Sequence, residues 1–261
     1  MVEKKKVDMT FLDHLVELLN RVRMILYSVI ISTVLVMLLP VSIDFSTGNL
    51  FYATITSSLI THLQERFLPV EAELLPLSFL APLEVYVFIS LILGVIISLP
   101  VISYELYKFI NPALYGREKK AALPFVASFA SLFIFGFVLG YLYIIPSTIR
   151  MLFSFASLLN LPPKYDFSAF FSLVGFTLLL CGLIFTFPMY IILLVKAGIL
   201  KTESITKNRK YLYGVLFILI AIVDPEPGLV TEGFLFIPLV ILTEVSIIIA
   251  KRIEKARKTS E

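Results

Sequence analysis

The chain has 261 residues, 59% hydrophobic and 16% charged, with 22 Lys and Arg against 19 Asp and Glu. Its mean hydropathy is +0.95, whereas a soluble domain is about 45–50% apolar and about 25% charged. A soluble enzyme and a disordered, collagenous or disulfide-framed chain are thereby excluded, and the single cysteine, Cys181, excludes an intramolecular disulfide and a Cys-based metal site.

The composition reads as an all-α polytopic membrane protein, one integral membrane domain over 1–261. Residues 1–21 are a cytoplasmic amphipathic start. Beyond a basic run at 1–7, Phe11, Leu15, Leu18 and Val22 share one helical stripe, and His14, Glu17 and Arg21 share the other. This helix is expected to lie at the inner interface and then turn into the first span. Crossing roughly 30 Å of hydrocarbon takes about 20 apolar residues. Such runs fall at about 22–39, 83–107, 121–145, 168–195, 211–223 and 233–250, which predicts six transmembrane helices. The first run is followed by no A-x-A cleavage pattern and reads as a retained anchor. The outer loop 40–82 is acidic, and within it Phe51, Ile55, Leu59 and Leu63 recur every four residues. That spacing predicts an outer-surface helix ending before Pro69. The fifth run has only 13 residues, about 20 Å at helical rise, yet the charges on its flanks demand a crossing. Residues 251–261 form a basic cytoplasmic tail.

Pro100, Pro124, Pro188 and Pro238 fall in or near span interiors. Each removes a backbone hydrogen bond, which favours a kinked, concave scaffold, although proline is in any case commoner in membrane helices. Gly136 and Gly140 make a GxxxG pattern, a device for close helix packing. Orientation follows from the basic residues. Nineteen of the 22 fall in the N-terminal segment, the second and fourth loops and the tail, leaving Arg66, Arg150 and Lys164 for the other side. Both termini are therefore expected in the cytoplasm. The basic face is accounted for by anionic lipid and topology, without nucleic acid.

The chain holds no G-x-x-x-x-G-K-[ST] loop and no H-E-x-x-H, and its two histidines, His14 and His62, fall on opposite sides of the membrane in this topology. No enzyme, cofactor or metal is expected. What remains is a set of carboxylates. Glu244 is the deepest, seven residues before Lys251, roughly 10 Å inside the boundary at helical rise, and an acid at that depth is a functional candidate. It supports an alternative reading as a secondary transporter with Glu244 as the ion-coupling acid. Glu84, Glu105 and Glu232 stand near helix ends, where acids ordinarily reach headgroups. Glu17 and Glu118 stand among the basic residues of the inner face. Two readings are open for them. Glu17 is either an ordinary i,i+4 partner of Arg21 and Glu118 an acid near a helix N-terminus, or the two together form a site for guanidinium groups.

The stretch His14-Leu-Val-Glu17-Leu with Arg21, and the long stretch from Ser98-Leu-Pro through Asn111-Pro-Ala-Leu-Tyr-Gly-Arg-Glu118-Lys-Lys120, resemble the TatC family, the receptor core of the twin-arginine protein translocase. Ile237-Pro238 with Glu244 is similar to that family's last helix. The resemblance implies that Glu17 and Glu118 bind the twin arginines of a signal peptide, with Phe109 on the same surface. It also implies a glove-shaped fold in the cytoplasmic membrane of a prokaryote, with TatA/TatB-type single-span proteins and further copies of the chain as partners. Three departures stand out. Leu19 replaces a frequent Arg, Thr186 replaces a buried Glu before Pro188, and Asp224-Pro-Glu-Pro-Gly228 with Glu232 replaces a P-D…Gln loop. Thr186 and Glu244 are the intramembrane polar residues where a partner helix would be read.

Overall fold

The structure is a computed structural model, described here over residues 11–41, 53–110, 119–223 and 229–260. Its helices are α1 (Phe11–Leu38), α2 (Ile55–Phe67), α3 (Ala81–Ile110), α4 (Lys119–Leu139), α5 (Ile145–Leu158), α6 (Phe167–Phe185), α7 (Phe187–Lys196), α8 (Thr202–Lys207), α9 (Arg209–Val223) and α10 (Leu229–Ser260). Two short strands, β1 (Glu73–Leu75) and β2 (Lys164–Asp166), and a π-helical turn at Gly140–Ile144 complete the described elements.

Among the described residues, five helical segments are long and apolar enough to cross a membrane: Leu15–Leu38, Ala81–Ile110, Ala122–Leu158, Phe167–Lys196 and Glu232–Ala256. The fifth expected span is helical too, but α9 has only 15 residues, about 22 Å at helical rise. It is a short partner to five long helices.

Several expectations are corrected by the fold. No turn separates an interfacial start from the first span, because α1 is a single helix of 28 residues. Leu15, Leu18 and Val22 are exposed, while Arg21 on the polar stripe is buried. The third segment does not end near Ile145. It passes through a π-helical turn at Gly140–Ile144 and continues as α5 to Leu158. Pro146 sits in the first turn of α5, where a missing N–H is tolerated, so the proline does not stop the helix. Of the four prolines expected to interrupt spans, only Pro188 accompanies a break, at Thr186 between α6 and α7. Pro100, Pro124 and Pro238 lie inside unbroken helices. The chain is also not purely helical, since β1 and β2 pair in parallel with Glu73 opposite Lys164 and Leu75 opposite Asp166.

The outer-loop helix does form. Thr54 caps α2 in a reciprocal box with Ser57, and Leu68 ends it just before Pro69. Leu63 and Phe67 bury against Val85, Ile89, Phe170 and Phe171, so α2 closes one end of the bundle. Phe51, the first residue of the expected stripe, lies outside the described residues.

Lipid tails are as apolar as leucine, so membrane helices hold together through close packing rather than exclusion of water. Small residues set that packing here. A Cβ on Gly136 would lie 2.5 Å from the Cys181 carbonyl oxygen, and one on Gly140 3.1 Å from Cys181 Cβ. The GxxxG pattern is thus spent inside the chain, against α6. A Cβ on Gly94 would lie 2.2 Å from Thr33 Oγ1, which is how α3 comes close to α1. Phe125, Phe129 and Phe133, one turn apart on α4, fill the seam toward Leu99, Met189 and Leu193.

Candidate carboxylate site at the basic end

Three contacts gather one end of the bundle. Arg21 near the start of α1 bonds Glu105 near the end of α3. Lys196 at the end of α7 donates to the Tyr107 hydroxyl at 2.9 Å. The Thr202 backbone N–H, at the start of α8, donates to Glu254 of α10 at 2.9 Å. The start of α1, the ends of α3, α7 and α10, and α8 therefore share a neighbourhood.

At its edge sits a triad. Arg21 donates from Nε, at 3.2 Å, and from Nη2 to the same oxygen of Glu17, Oε1. Its Nη1 donates to Glu105 Oε2 at 3.0 Å. Arg21 is 7% exposed and Glu105 8%. The i,i+4 pairing of Glu17 with Arg21 is thus present, as the ordinary reading expected. Glu105 is a correction: it does not reach for headgroups but turns inward as a second carboxylate on the same guanidinium. Arg21, on the polar stripe of α1, is thus buried against an acid on α3. Glu17 Oε2 is buried with no hydrogen-bond partner among the described residues, and a buried acceptor left unmet costs about 1–3 kcal/mol. One oxygen of Glu17 is committed, and the other meets no donor among the described residues.

Neighbouring cations are engaged with tyrosines instead. Arg23 donates to the Tyr27 hydroxyl at 2.9 Å, and Lys108 lies 4.9 Å from the centre of the Tyr104 ring. Phe109 is half-buried, one turn beyond Glu105 on α3. Glu118, the second expected ligand for arginine, lies outside the described residues.

The two intramembrane polar candidates lie elsewhere. Thr186 is fully buried and its hydroxyl donates to the Leu183 carbonyl at 2.6 Å. It helps finish α6 at the break before Pro188. Glu244 accepts from the Tyr213 hydroxyl and lies 3.4 Å from Arg209 Nη2, both on α9. It is therefore an acid with a cation and a hydroxyl beside it, binding short α9 to α10. Among the described residues, no group of three or more His, Cys, Asp or Glu could hold a metal ion.

These features define a polytopic helical membrane protein with a buried acid–arginine–acid cluster at one end. Comparison with known proteins narrows the class. The family model for TatC, Sec-independent protein translocase protein, matches residues 13–238. TatC of Aquifex aeolicus is 34% identical over 190 residues, covering 72% of this chain and 78% of that protein. TatCy of Bacillus subtilis is 27% identical over 261 residues, covering 100% and 96%. A crystal structure of the twin-arginine translocase receptor TatC superposes with a TM-score of 0.69 at 29% identity, covering 92% of this chain and 99% of that one. The chain belongs to the TatC family.

Proposed function

We propose that this chain is the receptor and scaffold subunit of a twin-arginine translocase, binding the paired arginines of signal peptides through Glu17 and Glu118. The observation that carries this reading is Glu17, whose Oε2 has no donor among the described residues, in a site already shaped for guanidinium. Carboxylates accept forked bonds from Arg that the point charge of Lys cannot reproduce. The site then selects Arg-Arg over Lys-Lys by geometry, while the surrounding basic residues weaken nonspecific attraction of cationic peptides. Phe109, one turn from Glu105, offers an aromatic face to the peptide beside the arginines.

In this reading the chain crosses the cytoplasmic membrane of a prokaryote six times, with both termini in the cytoplasm and α9 as a short fifth span. TatA/TatB-type single-span proteins and further copies of the chain pack against the spans. Neither catalysis nor a cofactor is required. Glu244, held by Tyr213 and Arg209, gives no reason to retain an ion-coupled transporter.

The test is peptide affinity. Charged hydrogen bonds contribute about 1.5–3 kcal/mol each, and each 1.4 kcal/mol is about tenfold in affinity. Glu17→Gln and Glu118→Gln should each weaken a twin-arginine peptide by roughly ten- to a hundredfold, whereas Glu203→Gln, exposed on α8, should leave it unchanged. Parent-like binding by both variants would place the site elsewhere.

A further inference from the structure

Within the triad itself the charges do not balance. Glu17 and Glu105 share one guanidinium, so the three side chains together carry one net negative charge. The nearby Arg23 and Lys108 are turned to tyrosines. A single added guanidinium would bring the cluster to neutrality.

The geometry also shows how one could be added. Glu17 Oε2 is closed off from solvent, so it meets a ligand only when the side chain rotates. The Glu17 side chain is 17% exposed, against 9% for Arg21 and 10% for Glu105. Glu17 is therefore the member nearest the surface. Arg21 is buried, and a buried cation that loses an anionic partner is strongly disfavoured. With Glu105 on Nη1, Arg21 keeps an anionic partner when Glu17 turns away.

We propose that Glu105 is a positioning residue for arginine recognition: it retains Arg21 so that Glu17 can turn to a ligand guanidinium without leaving a buried charge unpaired. This deepens the proposed role of Glu17 and rests on it. The roles separate cleanly. Glu17 touches the ligand, Arg21 orients Glu17 in the free chain, and Glu105 holds Arg21 in both states.

A purely structural role for Glu105 makes different predictions. If the triad only ties α1 to α3, each loss loosens the helices and two losses are worse than one. If Glu105 acts by releasing Glu17 from Arg21, removing both Arg21 and Glu105 should restore what removing Glu105 alone takes away. The cluster then again carries one net negative charge, with Glu17 unencumbered.

The experiment measures affinity of the purified full chain for a synthetic peptide carrying two consecutive arginines followed by an apolar stretch. A twin-lysine peptide is the control, and the melting midpoint of each variant is recorded. Glu105→Gln keeps an acceptor for Arg21 but removes the charge, and should weaken twin-arginine binding about tenfold with little change in the weaker twin-lysine binding. The double variant Arg21→Gln/Glu105→Gln should return to within about threefold of the parent, even if it melts lower. Parent-like binding by Glu105→Gln overturns the proposal, as does a double variant as weak as Glu105→Gln or weaker. Glu17→Gln runs alongside. If it binds like the parent, the reading of Glu17 itself fails, a result distinct from failure at Glu105.

Discussion

Individual polar side chains at this end are placed by partners distant in sequence. Glu254 accepts from both the backbone N–H and the hydroxyl of Thr202, so an acid of the last helix does for α8 what an N-cap residue usually supplies from its own segment. Loss of a capping interaction costs about 1 kcal/mol. Glu254→Gln should therefore lower the melting midpoint in detergent and speed proteolysis around Lys201, while twin-arginine affinity stays at the parent value. An unchanged midpoint and cleavage rate would show that the contact contributes nothing. Thr186 is the converse case, with its hydroxyl satisfied by Leu183 within its own turn. Thr186→Val removes one neutral hydrogen bond worth about 0.5–1.5 kcal/mol and should leave export of a twin-arginine reporter at the parent level. A sharp loss of export from a variant that is normally abundant would instead reveal a partner contact at this position.

Between elements, glycine decides how near the helices come. Gly136→Ala places a methyl against the Cys181 carbonyl and the Phe185 ring, at 2.5 and 2.8 Å, and should destabilise by about 1–3 kcal/mol, the usual range for overpacking. Gly214→Ala on α9 meets nothing within 4 Å and should be neutral or slightly stabilising, since Ala is the better helix former. Equal midpoints for the two variants would mean that α4 and α6 adjust freely. Features encoded by neighbouring residues are legible in the sequence: the apolar runs of the long spans, the four-residue stripe of α2 and the GxxxG face. The inward face of α1 is not, because it depends on Glu105, 84 positions from Arg21. A three-residue strand such as β1 has too few positions to show alternation. The extension to Leu158 is hidden by Pro146, because proline normally marks a boundary but here falls in a tolerated first turn.

For the molecule as a whole, the contacts at one end gather the segments on which the proposed sidedness rests. Arg21–Glu105, Lys196–Tyr107 and Thr202–Glu254 join the start of α1, the end of α3, the end of α7, α8 and the end of α10. The sequence gathers nineteen of its 22 basic residues in or beside those same segments, and basic loops stay on the cytoplasmic side. The geometry also bears on α9. At about 22 Å it falls short of roughly 30 Å of hydrocarbon, yet Glu244, about midway along α10, reaches back to Tyr213 and Arg209 in the first turns of α9. The two helices therefore run antiparallel, and the tail returns to the side of α8. A crossing α9 needs the bilayer to thin around it, a modest cost per ångström. Cysteines at Ser260 and at Lys201 should then be labelled only from the cytoplasm. One at Val70, fully exposed beyond α2, should be labelled only from outside, with buried Cys181 silent in all three. Labelling of Ser260 from outside in intact cells, with Lys201 still protected, would mean that α9 does not cross and that the chain spans the membrane five times.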